Sequence, residues 1–237
     1  MLQSQWKKPL YQNKFTSKLF YKKYAYRLGI RCHLASIFRN KDFNYAKYRL
    51  DLWNQDIAKG IVPTFGIYGT GNAIQMSDIH LALRLLNIFT TANTEFTLRI
   101  ESKTINVFSN DTVWLDSLKN KLHYHIVDFM EPKNTDMASY LLENPNIEIV
   151  KNNEYEYKLK TRYVRQSFKP FAEWCQKFPK HVKISNIFLK ELMTDSFLSE
   201  GRIIHVKDKK TLNIVTLFIG EGIQSVTRLV TSDDLDI

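Results

Sequence analysis

The chain has 237 residues, of which 44% are hydrophobic and 13% aromatic; this suffices for one large domain or two of roughly 100 to 130 residues and argues against widespread disorder. No stretch approaches the roughly 18 consecutive apolar residues of a membrane span, Leu212 to Ile219 being among the best runs. Cys32 and Cys175 form no CxxC or Cys/His ligand spacing, which argues against a disulfide framework and a cysteine zinc site.

Charge is the most informative property. Residues 1 to 60 hold 13 Lys/Arg against Asp42, Asp51 and Asp56, while residues 61 to 237 hold 21 of each sign, so the whole net charge of +10 falls in the first quarter of the chain. One sign concentrated in this way suggests a polyanion as partner, with nucleic acid expected before an acidic protein or an anionic surface. No cofactor and no membrane partner are expected. The expected setting is the cytoplasm, or the host cytoplasm for a viral chain: the cysteine usage fits a reducing compartment, and Lys7 and Lys8 precede no apolar signal-peptide segment.

Met1 to Ser17 is basic, polar and interrupted by Pro9, which predicts an extended arm. From residue 18, Leu19, Tyr21, Tyr24, Tyr26, Leu28 and Ile30 alternate in part with Lys22, Lys23, Arg27 and Arg31, as in a half-buried strand. Asp42 caps a predicted helix to about Ala58 with Tyr45, Tyr48, Leu52 and Ile57 on one face, and Gly60 ends it. Pro63, Gly66, Gly69 and Gly71 mark a loop. Ser77 then caps a helix through about Thr90 with Ile79, Leu83, Leu86 and Phe89 on its apolar face. Phe96 to Ile100 and Ile105 to Phe108 read as a hairpin turning at Ser102 and Lys103. A helix from Asp111 to Leu122, capped by Ser109 or Asn110, leads to a strand at His123 to Phe129.

Pro132, Asn134, Asn144 and Pro145 mark a boundary, with one helical turn at Met137 to Leu142. The second half reads strand (155 to 163), helix (168 to 178), short strand (182 to 184), helix (186 to 193), strand (202 to 206), helix (209 to 220) and strand (224 to 230). At an offset of 99 residues Ile105 matches Ile204, Val107 matches Val206, Thr112 matches Thr211, Leu118 matches Leu217 and Val127 matches Val226. Tyr24 to Leu28 resembles Tyr155 to Leu159 at an offset of 131.

These patterns predict an α+β chain of two tandem ferredoxin-like (split βαβ) units, the first carrying an inserted loop and helix. The expected division is a basic arm over 1–17, a first unit over 18–131, a linker over 132–150, a second unit over 151–231 and an acidic tail over 232–237. Tandem ferredoxin-like units are common among RNA-handling proteins, whose open sheet face stacks bases on aromatics and meets phosphates with Lys/Arg. Neither half carries the aromatic-strand signature of an RRM.

Three constellations suggest chemistry. His123-Tyr124-His125 on a predicted strand would put two imidazoles on one face, as metal candidates. It resembles the His-hydrophobe-His element of rolling-circle replication and relaxase endonucleases, which implies a bound metal and a tyrosine nucleophile, here Tyr140 or Tyr163. His33 between Arg31 and Arg39 offers an acid or base toward an RNA 2′-hydroxyl, and the basic surface around it resembles that of the tandem ferredoxin-like CRISPR endonucleases, although Gly220-Glu-Gly222 is shorter than their glycine-rich loop. Gly66 to Asn72 can expose backbone N–H groups to a phosphate but has no P-loop lysine.

The leading expectation is a protein that binds RNA or single-stranded DNA without catalysis. Lys7, Lys8, Lys14, Lys18, Lys22, Lys23, Arg27, Arg31 and Arg39 would neutralise phosphates, and Tyr21, Tyr24 and Tyr26 would stack on bases. A viral or phage structural or assembly protein, with protein partners, is the second expectation. Abundant Lys, Asn, Ile, Tyr and Phe with scarce Gly, Pro and Ala fit an AT-rich genome such as those of many viruses and bacteria. A nuclease is the third.

Overall fold

The computed structural model describes residues 11–65, 71–194 and 197–235. In chain order these form β1 (Gln12–Phe15), β2 (Tyr26–Arg31), α1 (Phe43–Ala58), β3 (Thr64–Phe65), β4 (Asn72–Ala73), α2 (Met76–Thr90), β5 (Phe96–Glu101), β6 (Thr104–Ser109), α3 (Thr112–Lys121), β7 (Ile126–Glu131) and α4 (Thr135–Glu143). They continue with β8 (Ile147–Val150), β9 (Tyr157–Thr161), α5 (Lys169–Lys177), β10 (Val182–Lys183), α6 (Asn186–Thr194), β11 (Ile203–Val206), α7 (Lys209–Ile219) and β12 (Ile223–Thr231).

The chain is α+β, and its two mixed five-stranded sheets belong to two compact units, residues 1–138 and 139–237. The first sheet runs β1-β7-β2-β6-β5 and the second β8-β12-β9-β11-β10, and neither closes into a barrel. In both, an edge strand from the start of the unit pairs in parallel with its last strand: β1 with β7, and β8 with β12. The remaining pairs are antiparallel.

Each sheet is covered by helices on one face, because period-2 alternation sends one set of side chains inward. In the first unit Leu28, Ile30, Ile105, Val107 and Phe129 share a core with Ala46, Leu50 and Trp53 of α1, with Ile79, Leu85 and Phe89 of α2, and with Leu115 and Leu118 of α3. In the second, Leu159, Val182, Ile204 and Val206 pack with Phe171, Ala172 and Cys175 of α5, Phe188 and Leu192 of α6, and Val215 and Ile219 of α7.

Several expectations are corrected. The arm over 1–17 contributes β1, so it is partly an edge strand. The strand expected from residue 18 begins only at Tyr26; a tight turn closed by Phe20 N to Tyr24 O (2.8 Å) and Tyr24 N to Phe20 O (2.9 Å) precedes it, with Tyr21 and Lys22 at positive φ. On α1 the buried face is Ala46, Leu50 and Trp53, and Tyr45 and Tyr48 are exposed. Hydrophobic spacing locates a helix face only to within about one position, and small Ala46 lies at its centre. The helix starts differ as well: α2 is capped by Gln75 in a capping box with Asp78, and α3 by Asp111.

His123 to His125 is a 3₁₀ turn, and the strand starts at Ile126. Buried Leu122 and Ile126 lie about one helical turn apart with His123 and Tyr124 exposed between them, whereas a strand would place Tyr124 on the same face as the two buried residues. The presumed linker contains α4 and β8. Most of the glycine-rich loop, residues 66–70, lies outside the described residues; β3 and β4 flank it as an antiparallel pair. Finally, the Tyr24–Leu28 and Tyr155–Leu159 likeness holds in register, since Leu28 lies opposite Val107 and Leu159 opposite Ile204 and both sheets have an irregularity one residue further on. The matches at an offset of 99 are two residues out, because the caps of α3 and α7 are Asp111 and Asp208 and buried Leu118 corresponds to Val215 rather than to exposed Leu217.

Candidate nucleic-acid interface

The face of the first sheet away from its helices carries Gln12 and Lys14 of β1, Asp128 and Met130 of β7, Arg27, Gly29 and Arg31 of β2, Asn106 and Phe108 of β6, and Thr97, Arg99 and Glu101 of β5. The Phe20 to Tyr24 turn lies over one end of it. Phe20 and Tyr21 meet the Phe108 ring at centroid distances of 5.2 and 5.0 Å, and the Tyr24 hydroxyl lies 3.3 Å from Thr97 Oγ1. Asn110 fixes the end of this segment, accepting from Ala25 N at 2.8 Å and donating to Lys23 O at 2.9 Å.

The basic residues singled out by sequence separate into groups. Arg27 Nη2 and Lys14 Nζ both donate to Asp128 Oδ2, at 2.6 and 3.2 Å, so two of the cations share a carboxylate that is nearly buried. Lys23 pairs with Glu95, whose hydrogen bond raises the lysine pKa. Arg31 and Arg39 are exposed, and neither forms an ion pair among the described residues. Lys18 and Lys22 are exposed and engaged elsewhere. Lys7 and Lys8 lie outside the described residues.

The tyrosines divide too. Tyr21 is 55% exposed, its ring edge-on to Phe108. Tyr24 is buried at 4%. Tyr26 faces the helices, stacked on Phe129 at 6.3 Å, and burial followed by the Glu131 charge raises its phenol pKa. Of the three rings, only Tyr21 presents a broad surface. Sequence reading missed Asp128, Gly29 and Glu95, which decide how much of the N-terminal charge is free; an isolated acidic residue far along the chain gives no signal of its partner.

His123 and His125 sit on the 3₁₀ turn, so strand alternation does not align their imidazoles, and burial, then Arg84, then His123 lower the His125 pKa. No group of three or more His, Cys, Asp or Glu that could hold a metal ion occurs among the described residues. Tyr140 lines an open recess of about 560 Å³ with Asn153, Glu156 and Arg228, and Tyr163 is exposed with its ring 5.7 Å from Phe197. His33 borders a recess of about 50 Å³ with Phe65, Asn72, Asp78 and Lys103, too small for a nucleotide.

Comparison with protein-family models, with curated proteins and with solved structures gave no match to this chain.

Proposed function

We propose that this chain binds RNA or single-stranded DNA through two tandem ferredoxin-like units, the first of which meets the phosphates with its basic N-terminal segment. The fold part of this reading is supported by the order of each sheet. Apart from the added edge strand, each first strand lies between the third and fourth, the order of a β-α-β-β-α-β unit. The β3–β4 pair with α2 in the first unit, and α6 in the second, are then additions to that plan.

One observation carries the binding reading: the entire net charge of +10 is confined to residues 1 to 60. Exposed Arg31 at one end of the helix-free face and the exposed Tyr21 ring over Phe108 toward the other are consistent with phosphate contact and base stacking. Because Asp128 and Glu95 already neutralise Lys14, Arg27 and Lys23 in part, the footprint is smaller than the raw count.

The test is a salt titration of the full chain by fluorescence anisotropy, with labelled single-stranded DNA and RNA of about 20 nucleotides. Neutralisation of about four phosphates gives a log–log slope near −3, or about a fiftyfold loss of affinity between about 50 and 200 mM salt. Affinity that does not change with salt, or an Arg31→Glu variant that binds as the parent does, would remove the proposal.

A further inference from the structure

The second unit hides a basic cluster inside a nearly even charge count, 15 Lys/Arg against 13 Asp/Glu over residues 139–237. Leu159, Val182, Ile204 and Val206 point to its helices, so alternation turns Lys158 and Lys160 of β9, His205 of β11 and Lys183 of β10 to the opposite face. Lys158 pairs across to His205, and His205 to Lys183. The three lie in one row over adjacent strands, with about 5 Å between neighbours. Lys160, the next residue of β9 on this face, is exposed, as is Lys183.

Carboxylates do not balance this cluster. Glu148 of β8 is 2.9 Å from Lys158 Nζ, while Lys160 and Lys183 form no ion pair among the described residues. Burial first, and then the charges of Lys158 and Lys183, lower the His205 pKa, with Glu148 opposing them. The Tyr155 ring stands 6.1 Å from the imidazole, so the row combines cations with two flat rings. Cations spread along a row suit a string of anionic groups better than one small anion, which would need them to converge.

The geometry points to a second nucleic-acid surface on this face, where Lys158, Lys160 and Lys183 meet the phosphates of a single strand and Tyr155 and His205 receive a base. The inference rests on the nucleic-acid reading above and extends it to a unit whose net charge is only +2. Two such surfaces on one chain raise affinity by making the second contact intramolecular.

The test uses the full chain carrying Lys160→Glu and Lys183→Glu, both exposed and outside any described ion pair, with Lys160→Gln and Lys183→Gln as a milder pair. Circular dichroism and melting verify folding. Against the same DNA and RNA strands, the Glu pair weakens binding at low salt by at least about tenfold, and the log–log salt slope falls by about 1.4, the loss of two phosphate contacts. Lys169→Glu, at the start of α5, serves as a control on the helix side and leaves the affinity within about threefold, because its charge is screened from the row.

A parent that binds with a steep salt dependence while the Glu pair behaves like Lys169→Glu overturns this inference and leaves the reading of the first unit standing. A parent that binds neither strand overturns both. Competition by polyglutamate as effective as that by oligonucleotide at equal charge also overturns it, in favour of an acidic protein partner.

Discussion

A Cβ on Gly29 would lie 2.5 Å from Asp128 Oδ1, so the carboxylate occupies the space a side chain at that position would need. The two residues face each other across the β2–β7 pair. Asp128 is held there by Arg27 and Lys14, and Arg27 Nε is buried without a hydrogen-bond partner among the described residues. In the second unit Lys158, opposite Thr227 as Arg27 is opposite Met130, takes its carboxylate from Glu148 on the edge strand. Both sheets therefore keep an acid–base contact on the helix-free face, built from different strands.

Gly29→Ala is expected to destabilise the first unit by about 1–3 kcal/mol, because the carboxylate can escape the new methyl group only by leaving its two cations. Asp128→Ala is expected to cost a similar amount, about 1–3 kcal/mol, discounted from the usual loss of a buried pair because Lys14 is half exposed. The double variant should cost less than the sum by about 0.5–3 kcal/mol, since the clash needs both side chains. Urea denaturation of the four proteins measures the coupling; strict additivity would show that Asp128 does not fill the Gly29 site.

Burial pushes the thiols of Cys32 and Cys175 up to about 12, and one thiol lies in each unit. Both should therefore resist a thiol reagent at pH near 8 until their unit opens, since the thiolate is the reacting species. In single-cysteine variants, Gly29→Ala is expected to speed labelling of Cys32, with Cys175 as the reference. Prompt labelling of either cysteine in the parent protein would contradict its burial.

Acid should destabilise the fold through two histidines. His125 and His205 both have pKa values below the ordinary 6.5 in the folded state, chiefly through burial. The unfolded chain binds protons first as pH falls, so this contribution is complete above about 6.5 and declines below it. Between pH 7.5 and 5.5 the His125→Gln/His205→Gln variant is expected to lose about 2–4 °C less in Tm than the parent, as both sites are only partly buried. Equal losses would show that other groups dominate. For binding, the sign is reversed: phosphates beside His205 favour its protonated form, so acid strengthens binding in the parent more than in His205→Gln.

Much of the second unit was legible because each strand and helix is short, bounded by Pro, Gly or Asn, and regular in its own period. β9 to β12 and α5 to α7 accordingly lie within a few residues of their expected bounds. The first unit was harder. Tyr21 and Lys22 at positive φ break a run that reads as continuous alternation, and non-glycine residues give no warning of that conformation. Likewise, His123-Tyr124-His125 alternates like a strand, yet it is a turn that leaves Tyr124 exposed between buried Leu122 and Ile126. The charge asymmetry was visible in sequence, but its partial cancellation by Asp128 and Glu95 depends on tertiary pairing. The row of Lys158, His205 and Lys183 was hidden for the same reason: its members come from three strands and meet only in the sheet.

Tyr21 gives the sharpest separation between a stacking role and a structural one among the aromatics of the first unit. Its ring is 55% exposed and contacts Phe108 edge-on, leaving a face for a base, whereas Tyr24 is enclosed and Tyr26 is stacked within the core. Base–aromatic stacking is worth about 1–3 kcal/mol, so Tyr21→Ala should weaken binding of single strands by about tenfold, while Tyr21→Phe retains it. Tyr24→Phe removes only the hydroxyl contact to Thr97 and should change stability slightly and affinity not at all. Anisotropy titrations of the three variants, with melting curves beside them, separate the roles. If Tyr21→Ala binds as well as the parent, the aromatic part of the first interface is wrong and its contacts are to phosphates alone; if Tyr24→Phe loses affinity without losing stability, the turn from Phe20 to Tyr24 must open to admit the ligand.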